Sequence, residues 1–172
     1  MKATGMIRRM DDLGRVVIPK EIRRTMHWHE GEALEIYAQD EGLVMKKYSA
    51  MATPGRCLED VVKGLYPLVQ GALAACDTDA VLVGLGALRE ATGQTLAVNV
   101  AAKLRERGLW TWHEPTPVVK QGRTFPYGAV CPIVVRGDLY GGLLWGNATP
   151  ADEGQLVMLR TAAAILQQQL DV

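Results

Sequence analysis

Little in this chain points to chemistry. Its three cysteines, Cys57, Cys76 and Cys131, are odd in number, widely spaced and without a C-x-x-C pair. They fit free thiols in a reducing cytoplasm and exclude a disulfide framework or a zinc site. One phenylalanine is present, beside four tryptophans and five tyrosines. No run approaches the roughly 18 consecutive apolar residues of a membrane helix. The N-terminus, Met1-Lys-Ala-Thr-Gly5, leads straight into a patterned segment and leaves no room for a signal peptide. No Ser-His-Asp, Cys-His or paired-carboxylate arrangement can be argued; His113 is the one histidine of the C-terminal two thirds and does not adjoin Cys131. Gly84, Gly86, Gly141 and Gly142 do not form a G-x-G-x-x-G phosphate loop. Two histidines two apart, His27 and His29, fall short of a metal site and read as a surface turn. Asn147-Ala-Thr149 matches a glycosylation pattern that has no meaning in a cytoplasmic protein. The expectation is a protein that is no enzyme and holds neither metal nor cofactor.

Net charge is lacking too, with 19 basic against 19 acidic residues in a chain of 172. Its distribution is uneven. Residues 1–24 carry seven basic side chains (Lys2, Arg8, Arg9, Arg15, Lys20, Arg23, Arg24) against three acidic (Asp11, Asp12, Glu21), a net of +4. A local excess attracts a polyanion without making the whole protein adhesive. Met6–Met10 and Arg15–Ile18 read as strands around a turn at Asp11–Gly14. Pro19 then starts a short helix whose Ile22 and Met26 share one face, opposite Lys20, Arg23, Arg24 and His27. Leu34, Ile36 and Ala38 alternate with polar residues, Asp40–Gly42 turns the chain, and Leu43–Tyr48 returns as a hairpin. A unit of under about fifty residues without staples buries too little to stand alone, which predicts oligomerisation. For DNA contacts the chemistry selects Lys2, Arg8, Arg9, Arg15, Arg23 and Arg24, with Lys46 and Lys47 as outer candidates. The planar arginine fork can grip a phosphate or the O6/N7 edge of guanine through two donors.

Thr4 to Arg24, with the run Asp11-Asp-Leu-Gly-Arg-Val-Val-Ile-Pro19, followed by Glu30-Gly-Glu32 and Leu34-Glu-Ile-Tyr37, closely resembles the swapped-hairpin DNA-binding domain of the AbrB transition-state regulators. The resemblance is dense over residues 1 to about 48. It implies that two chains interleave their hairpins into one small dimeric β-barrel. It further implies that Arg8, Arg15, Arg23 and Arg24 stand where the family's DNA-contacting arginines stand.

Composition breaks at Ser49-Ala-Met-Ala-Thr-Pro-Gly55, which separates a domain of residues 1–50 from one of 58–172 by a linker at 51–57. Leu58, Val61, Leu65, Leu68 and Ala72 keep a three-four rhythm beside a second stripe of Val62, Tyr66, Val69 and Leu73; Pro67 should kink or interrupt this helix. Ala80–Gly86 reads as a buried strand. Thr92 is expected to cap a helix carrying Leu96, Val100 and Leu104 that Gly108 ends. Trp110–His113 and Val118–Lys120 look like short strands, and Tyr127–Trp145 like a hairpin turning at Arg136-Gly-Asp138. The last helix, Asp152 to Leu170, bears Leu156, Leu159, Ala163, Leu166 and Leu170 on one stripe and Met158, Ala162 and Ile165 beside it. A doubled stripe on both flanking helices predicts a helical bundle between subunits through Leu58, Val61, Leu65, Leu156, Leu159, Leu166 and Leu170.

The order helix, strand, helix, short strands, hairpin, helix, with Cys131-Pro-Ile133 and Gly141-Gly-Leu-Leu144, resembles a GAF domain. The fold class expected is therefore α+β: a swapped-hairpin DNA-binding domain followed by an α/β GAF-like regulatory and oligomerisation domain. GAF domains often bind small ligands over the sheet, and Trp112, Phe125 and Tyr127 could line such a cleft. The combined resemblance implies a DNA-binding transcriptional regulator of endospore development, activator or repressor, acting on double-stranded DNA as a homodimer or homotetramer, in the cytoplasm and off the membrane. Two other readings stay open: an antitoxin of a toxin–antitoxin pair, which shares the N-terminal fold, and a metabolite sensor with a small-molecule effector. Antitoxins usually end in an extended tail, whereas about 120 patterned residues follow here.

Overall fold

The computed structural model describes residues 5–39, 42–52 and 58–171. The chain divides into two compact units, Met1–Tyr48 and Ser49–Val172. The first holds a six-residue helix, α1 (Lys20–Thr25), and an antiparallel hairpin of β1 (Leu34–Gln39) and β2 (Gly42–Lys47). Pro19 stands just outside the helix, its fixed φ and missing N–H suited to that end. The helix closes at Met26, where His27 takes a left-handed φ of 55° and Trp28 donates its amide to the Arg23 carbonyl at 2.8 Å. In the hairpin Leu34 faces Lys47, Glu35 faces Lys46 and Tyr37 faces Val44. Asp40 and Glu41, part of the expected turn, lie outside the described residues.

One expectation is corrected here. Met6–Met10 and Arg15–Ile18, read as strands, form no ladder among the described residues, although the turn between them closes through Asp11 and Gly14. Backbone of this kind needs a neighbouring strand, and a two-stranded ribbon without a covered face is marginal in water. Ile7 is 88% exposed and Val17 75%, with Met10, Leu13, Val16, Ile36 and Leu43 also exposed. The apolar alternation is present, but the described residues of this chain do not cover it.

The second unit is built on a five-stranded antiparallel sheet in the order β4-β3-β9-β8-β5. Its strands are β3 (Ala72–Cys76), β4 (Val81–Leu85), β5 (Trp110–Trp112), β8 (Tyr127–Val135) and β9 (Asp138–Asn147); β6 (Thr116–Pro117) and β7 (Thr124–Phe125) pair separately. The β8–β9 turn uses Arg136 and Gly137, both at positive φ, which matches the twist of the flanking strands. Period-two alternation splits the sheet between two cores. Leu73, Ala75, Ala129, Cys131, Ile133, Leu143 and Trp145 pack with α2 (Leu58–Val69) and α4 (Glu153–Leu170). Cys76, Val130 and Leu144 pack in the other, with α3 (Val98–Arg105) and the 3₁₀ segment Gly86–Ala91. Ala50 and Met51, placed at the boundary and in the linker from sequence, are buried in the first of these cores; residues 53–57 lie outside the described set.

Several boundaries differ from the sequence reading, each for a local reason. Helix α2 runs through Pro67 and ends at Val69, because Gln70 and Gly71 take positive φ; Ala72 and Leu73 then begin a strand instead of extending the helical stripe. Thr92 follows the 3₁₀ segment and caps no helix; α3 begins only after Ala97, since Leu96 is buried and bridged to Val119. That helix stops at Arg105, with Arg107 left-handed ahead of Gly108. Val118 and Val119 are buried without forming a regular strand.

The ends of α2 and α4 are tied together. Asp152 and Gln155 form a reciprocal capping box at the start of α4, and Gln155 Nε2 also donates to the Val69 carbonyl at 2.6 Å. Trp145 Nε1 donates to the neighbouring Gln70 carbonyl at 2.7 Å. Carbonyls orphaned at the end of α2 thus find donors on α4 and β9. Gln155→Ala is expected to lower stability by about 1–2 kcal/mol, measured as an earlier midpoint in chemical denaturation. An unchanged midpoint would mean that the network contributes nothing net.

Candidate nucleic-acid interface

The arginines of the first unit are held by two pieces of local structure. Arg23 and Arg24 occupy the last turn of α1, where cations suit the negative end of the helix dipole, and both are exposed. Arg15 closes the loop after Asp11, its Nε 2.8 Å from Asp11 Oδ2, with its side chain 73% exposed. The Arg15 amide, then its guanidinium, hold the Asp11 carboxyl below the usual carboxylate range. Arg8 and Arg9 are exposed in the segment before the loop, Arg8 Nη1 donating to the Ile7 carbonyl at 3.3 Å. Lys2 lies outside the described residues.

The two outer candidates differ from each other. Lys46 is exposed on the hairpin, opposite Glu35, with its Nζ 5.4 Å from the centre of the Tyr37 ring. Lys47 is half-buried and its Nζ lies 2.7 Å from Glu32 Oε1. Glu32 also accepts the His29 amide at 2.9 Å and lies 3.1 Å from His29 Nδ1. Burial pushes the Glu32 carboxyl up, but Lys47 and His29 outweigh it and leave it below the ordinary glutamate range. A carboxyl lowered on folding stabilises above its unfolded pKa, and that contribution is lost as pH falls through the lower folded value. Glu32→Gln should therefore destabilise the protein at neutral pH and leave it unchanged at about pH 2. Thermal melts at the two pH values check this, and an equal loss at both would refute the ionic account. The pairing makes Lys47 a strut of the hairpin.

In the second unit the three aromatics expected to line a ligand cleft are placed unequally. Trp112 and Phe125 are buried, 4% and 5% exposed, and Trp112 Nε1 donates to the Phe125 carbonyl at 3.0 Å. Trp112 lies against Gly128 and Phe125 against Gly146, where a Cβ would collide with either ring. Only Tyr127 stays half-exposed, edge-on to His113 at 5.8 Å. Gly128→Ala should accordingly cost stability, about 1–3 kcal/mol by overpacking, seen in thermal melting.

The stripe expected to join subunits packs largely inside the unit. Leu58, Leu65, Leu159, Leu166 and Leu170 are buried, and Val61 and Leu156 half-buried, all in the unit's own core between α2, α4 and the sheet. A helix stripe shows that a face is covered, not by what, and here the sheet of the same chain covers it. The large hydrophobic residues that α2 and α4 leave exposed are Leu68, Val157, Met158 and Ile165. Cys76 and Cys131 are buried, and burial pushes both thiols up, away from the thiolate a nucleophile needs. Among the described residues no group of three or more His, Cys, Asp or Glu could hold a metal, and no helix is long and apolar enough to cross a membrane.

Comparison with known proteins adds to this geometry. The family model described as antidote-toxin recognition MazE, bacterial antitoxin, matches residues 7–52. Transition state regulatory protein AbrB of Bacillus subtilis is 55% identical over 53 residues, 31% of this chain and 55% of that protein. The solution structure of its N-terminal DNA recognition domain is 52% identical and covers 33% of this chain and 98% of its own, at a TM-score of 0.25. The GAF domain/HD domain protein of Geobacter sulfurreducens covers 73% of this chain and 95% of its own at a TM-score of 0.52 and 16% identity, so the second unit has the GAF fold. Stage V sporulation protein T of Bacillus subtilis is 31% identical over 180 residues, 99% of each chain. An AbrB-type first unit joined to a GAF-type second one, alike from end to end, means that this chain belongs to the family of stage V sporulation protein T.

Proposed function

We propose that the protein is a DNA-binding regulator of transcription that acts in endospore development, with residues 1–48 as its DNA-binding part. The observation that carries this reading is the 55% identity to AbrB, confined to the segment that concentrates the exposed arginines. The contacts are assigned to Arg8, Arg9, Arg15, Arg23 and Arg24, with Lys2 and Lys46 at the margin and Lys47 as a structural partner of Glu32. Sequencing the DNA fragments that the purified protein retains from a sheared genome tests it. A shared sequence among them is expected; a retained pool indistinguishable from the input overturns the reading.

The active form is a dimer. Support comes from the apolar residues of the first unit, Ile7, Met10, Val16, Val17 and Leu43 among them, which one chain leaves exposed and a second chain's interleaved strands would cover. At roughly 25 cal/mol per Å² such surface is costly in water. Residues 1–48 should thus melt at a temperature that rises with protein concentration. A concentration-independent melt of a monomer would contradict the interleaved arrangement. Joining of dimers into a tetramer is assigned to the outer face of α2 and α4, at Leu68, Val157, Met158 and Ile165. The antitoxin reading draws on the MazE match, but end-to-end likeness to a sporulation protein, with a folded second unit where a toxin-binding tail would stand, favours the regulator. The second unit is read as an assembly module, since Trp112 and Phe125, two of the three aromatics expected to line a ligand cleft, lie in its core.

A further inference from the structure

Arg15 is not a free surface cation. The Asp11 carboxylate gathers the whole loop: Oδ1 accepts the Leu13 amide at 3.0 Å and the Arg15 amide at 2.8 Å, while Oδ2 accepts Arg15 Nε at 2.8 Å. The backbone closes the same ring, Asp11 N–H donating to the Arg15 carbonyl and Gly14 N–H to the Asp11 carbonyl, each at 3.1 Å. Gly14 supplies the left-handed φ of 75° that the turn requires. A guanidinium carries five N–H donors in a planar fork. Asp11 holds it by Nε, at the near end, and the side chain as a whole remains 73% exposed.

We propose that Asp11 is a positioning residue for the DNA contact: it fixes the Arg15 guanidinium by its Nε so that the Nη fork meets nucleic acid already ordered. The inference rests on the reading of residues 1–48 as the DNA-binding part. An acid beside a polyanion is otherwise a liability, because its charge repels phosphate. Two opposed effects are therefore in play, and the sign of a substitution separates them. A flexible arginine loses rotamer freedom when it binds, whereas a braced one has lost it beforehand. Removing the brace should weaken binding, and removing only a repelling charge should strengthen it.

Asp11→Asn isolates the brace. Its side-chain oxygen can still accept the Leu13 and Arg15 amides, but the amide nitrogen that replaces Oδ2 cannot accept from Nε. The full-length protein is measured on the DNA fragment the wild type retains best, at 0.15 M salt, where a Debye length of about 8 Å damps the repulsion. The expected result is a loss of about two- to tenfold in affinity, and no further loss when Asp11→Asn is added to Arg15→Ala. Equal or tighter binding by Asp11→Asn overturns the proposal, as does the same loss in the Arg15→Ala background. A second readout uses the wild type without DNA and does not depend on any variant folding. The Nε–Hε resonance of Arg15 should show slower solvent exchange and less motion than that of Arg9, and equal mobility of the two overturns the brace. Should the wild type retain no DNA, the reading of the first unit fails and the inference falls with it. A wild type that binds and an Asp11→Asn variant that binds equally well sink the inference alone.

Discussion

Leu159→Glu is expected to unfold the second unit instead of releasing a subunit. Leu159 is fully buried between α4 and the sheet, with Leu166 one heptad further along in the same core. Truncating such a leucine to alanine costs about 2–5 kcal/mol. A carboxylate in its place adds the desolvation of an unpaired buried charge, several kcal/mol more. Against a domain stability of about 5–15 kcal/mol, that leaves little or no folded population. Circular dichroism and a denaturant titration read the outcome. Met158→Glu with Ile165→Glu makes the contrast, since both side chains are exposed on the outer face of α4. That pair should keep stability within about 1 kcal/mol and lower the particle mass if dimers join there. A folded Leu159→Glu protein of reduced mass would return the buried stripe to the intersubunit role that its heptad spacing suggested.

The other large effect concerns DNA. Replacing Arg8, Arg15, Arg23 and Arg24 by alanine removes four cations per chain, hence about eight from a dimer, within the range of six to ten phosphate contacts for which affinity falls on the order of 10³–10⁵ between 50 and 200 mM salt. Wild-type binding should show that steep salt dependence, and the fourfold variant should lose both the affinity at low salt and the slope. The fold should survive, because the four side chains are exposed and surface changes usually cost within about 0.5 kcal/mol each. Fluorescence anisotropy over a salt series, with a thermal melt of the variant as control, measures both. A salt-insensitive complex, or a variant that binds as the wild type does, would remove the arginines from the interface.

Much of this architecture is local, and local structure is legible in sequence. Alternation in Leu34–Ala38 and Leu43–Tyr48 is the period of a hairpin, and it forms as β1 and β2. The run from Tyr127 to Trp145 is apolar on both sides of Arg136-Gly137, because both faces of β8 and β9 are covered, and it forms the centre of the sheet. Asp152 three residues before Gln155 is a helix start that needs no distant partner, and α4 begins there. The concentration of arginine in residues 1–24 is likewise a property of the chain as written. Other features depend on what the chain meets once folded. Periodicity says that Leu58, Leu65, Leu159 and Leu166 are covered, but a partner helix and the chain's own sheet leave the same signature, and only packing shows that the sheet takes them. That Gly128 and Gly146 lie against the rings of Trp112 and Phe125, distant from them in sequence, is seen only in the fold. Met6–Met10 and Arg15–Ile18 carry a strand pattern that no ladder among the described residues satisfies, since pairing is a relation between segments and pattern alone does not supply the partner. The hold of Asp11 on Arg15 is four residues long and still invisible to pattern, because one carboxylate serves two amides and a guanidinium only when Gly14 bends the loop around it.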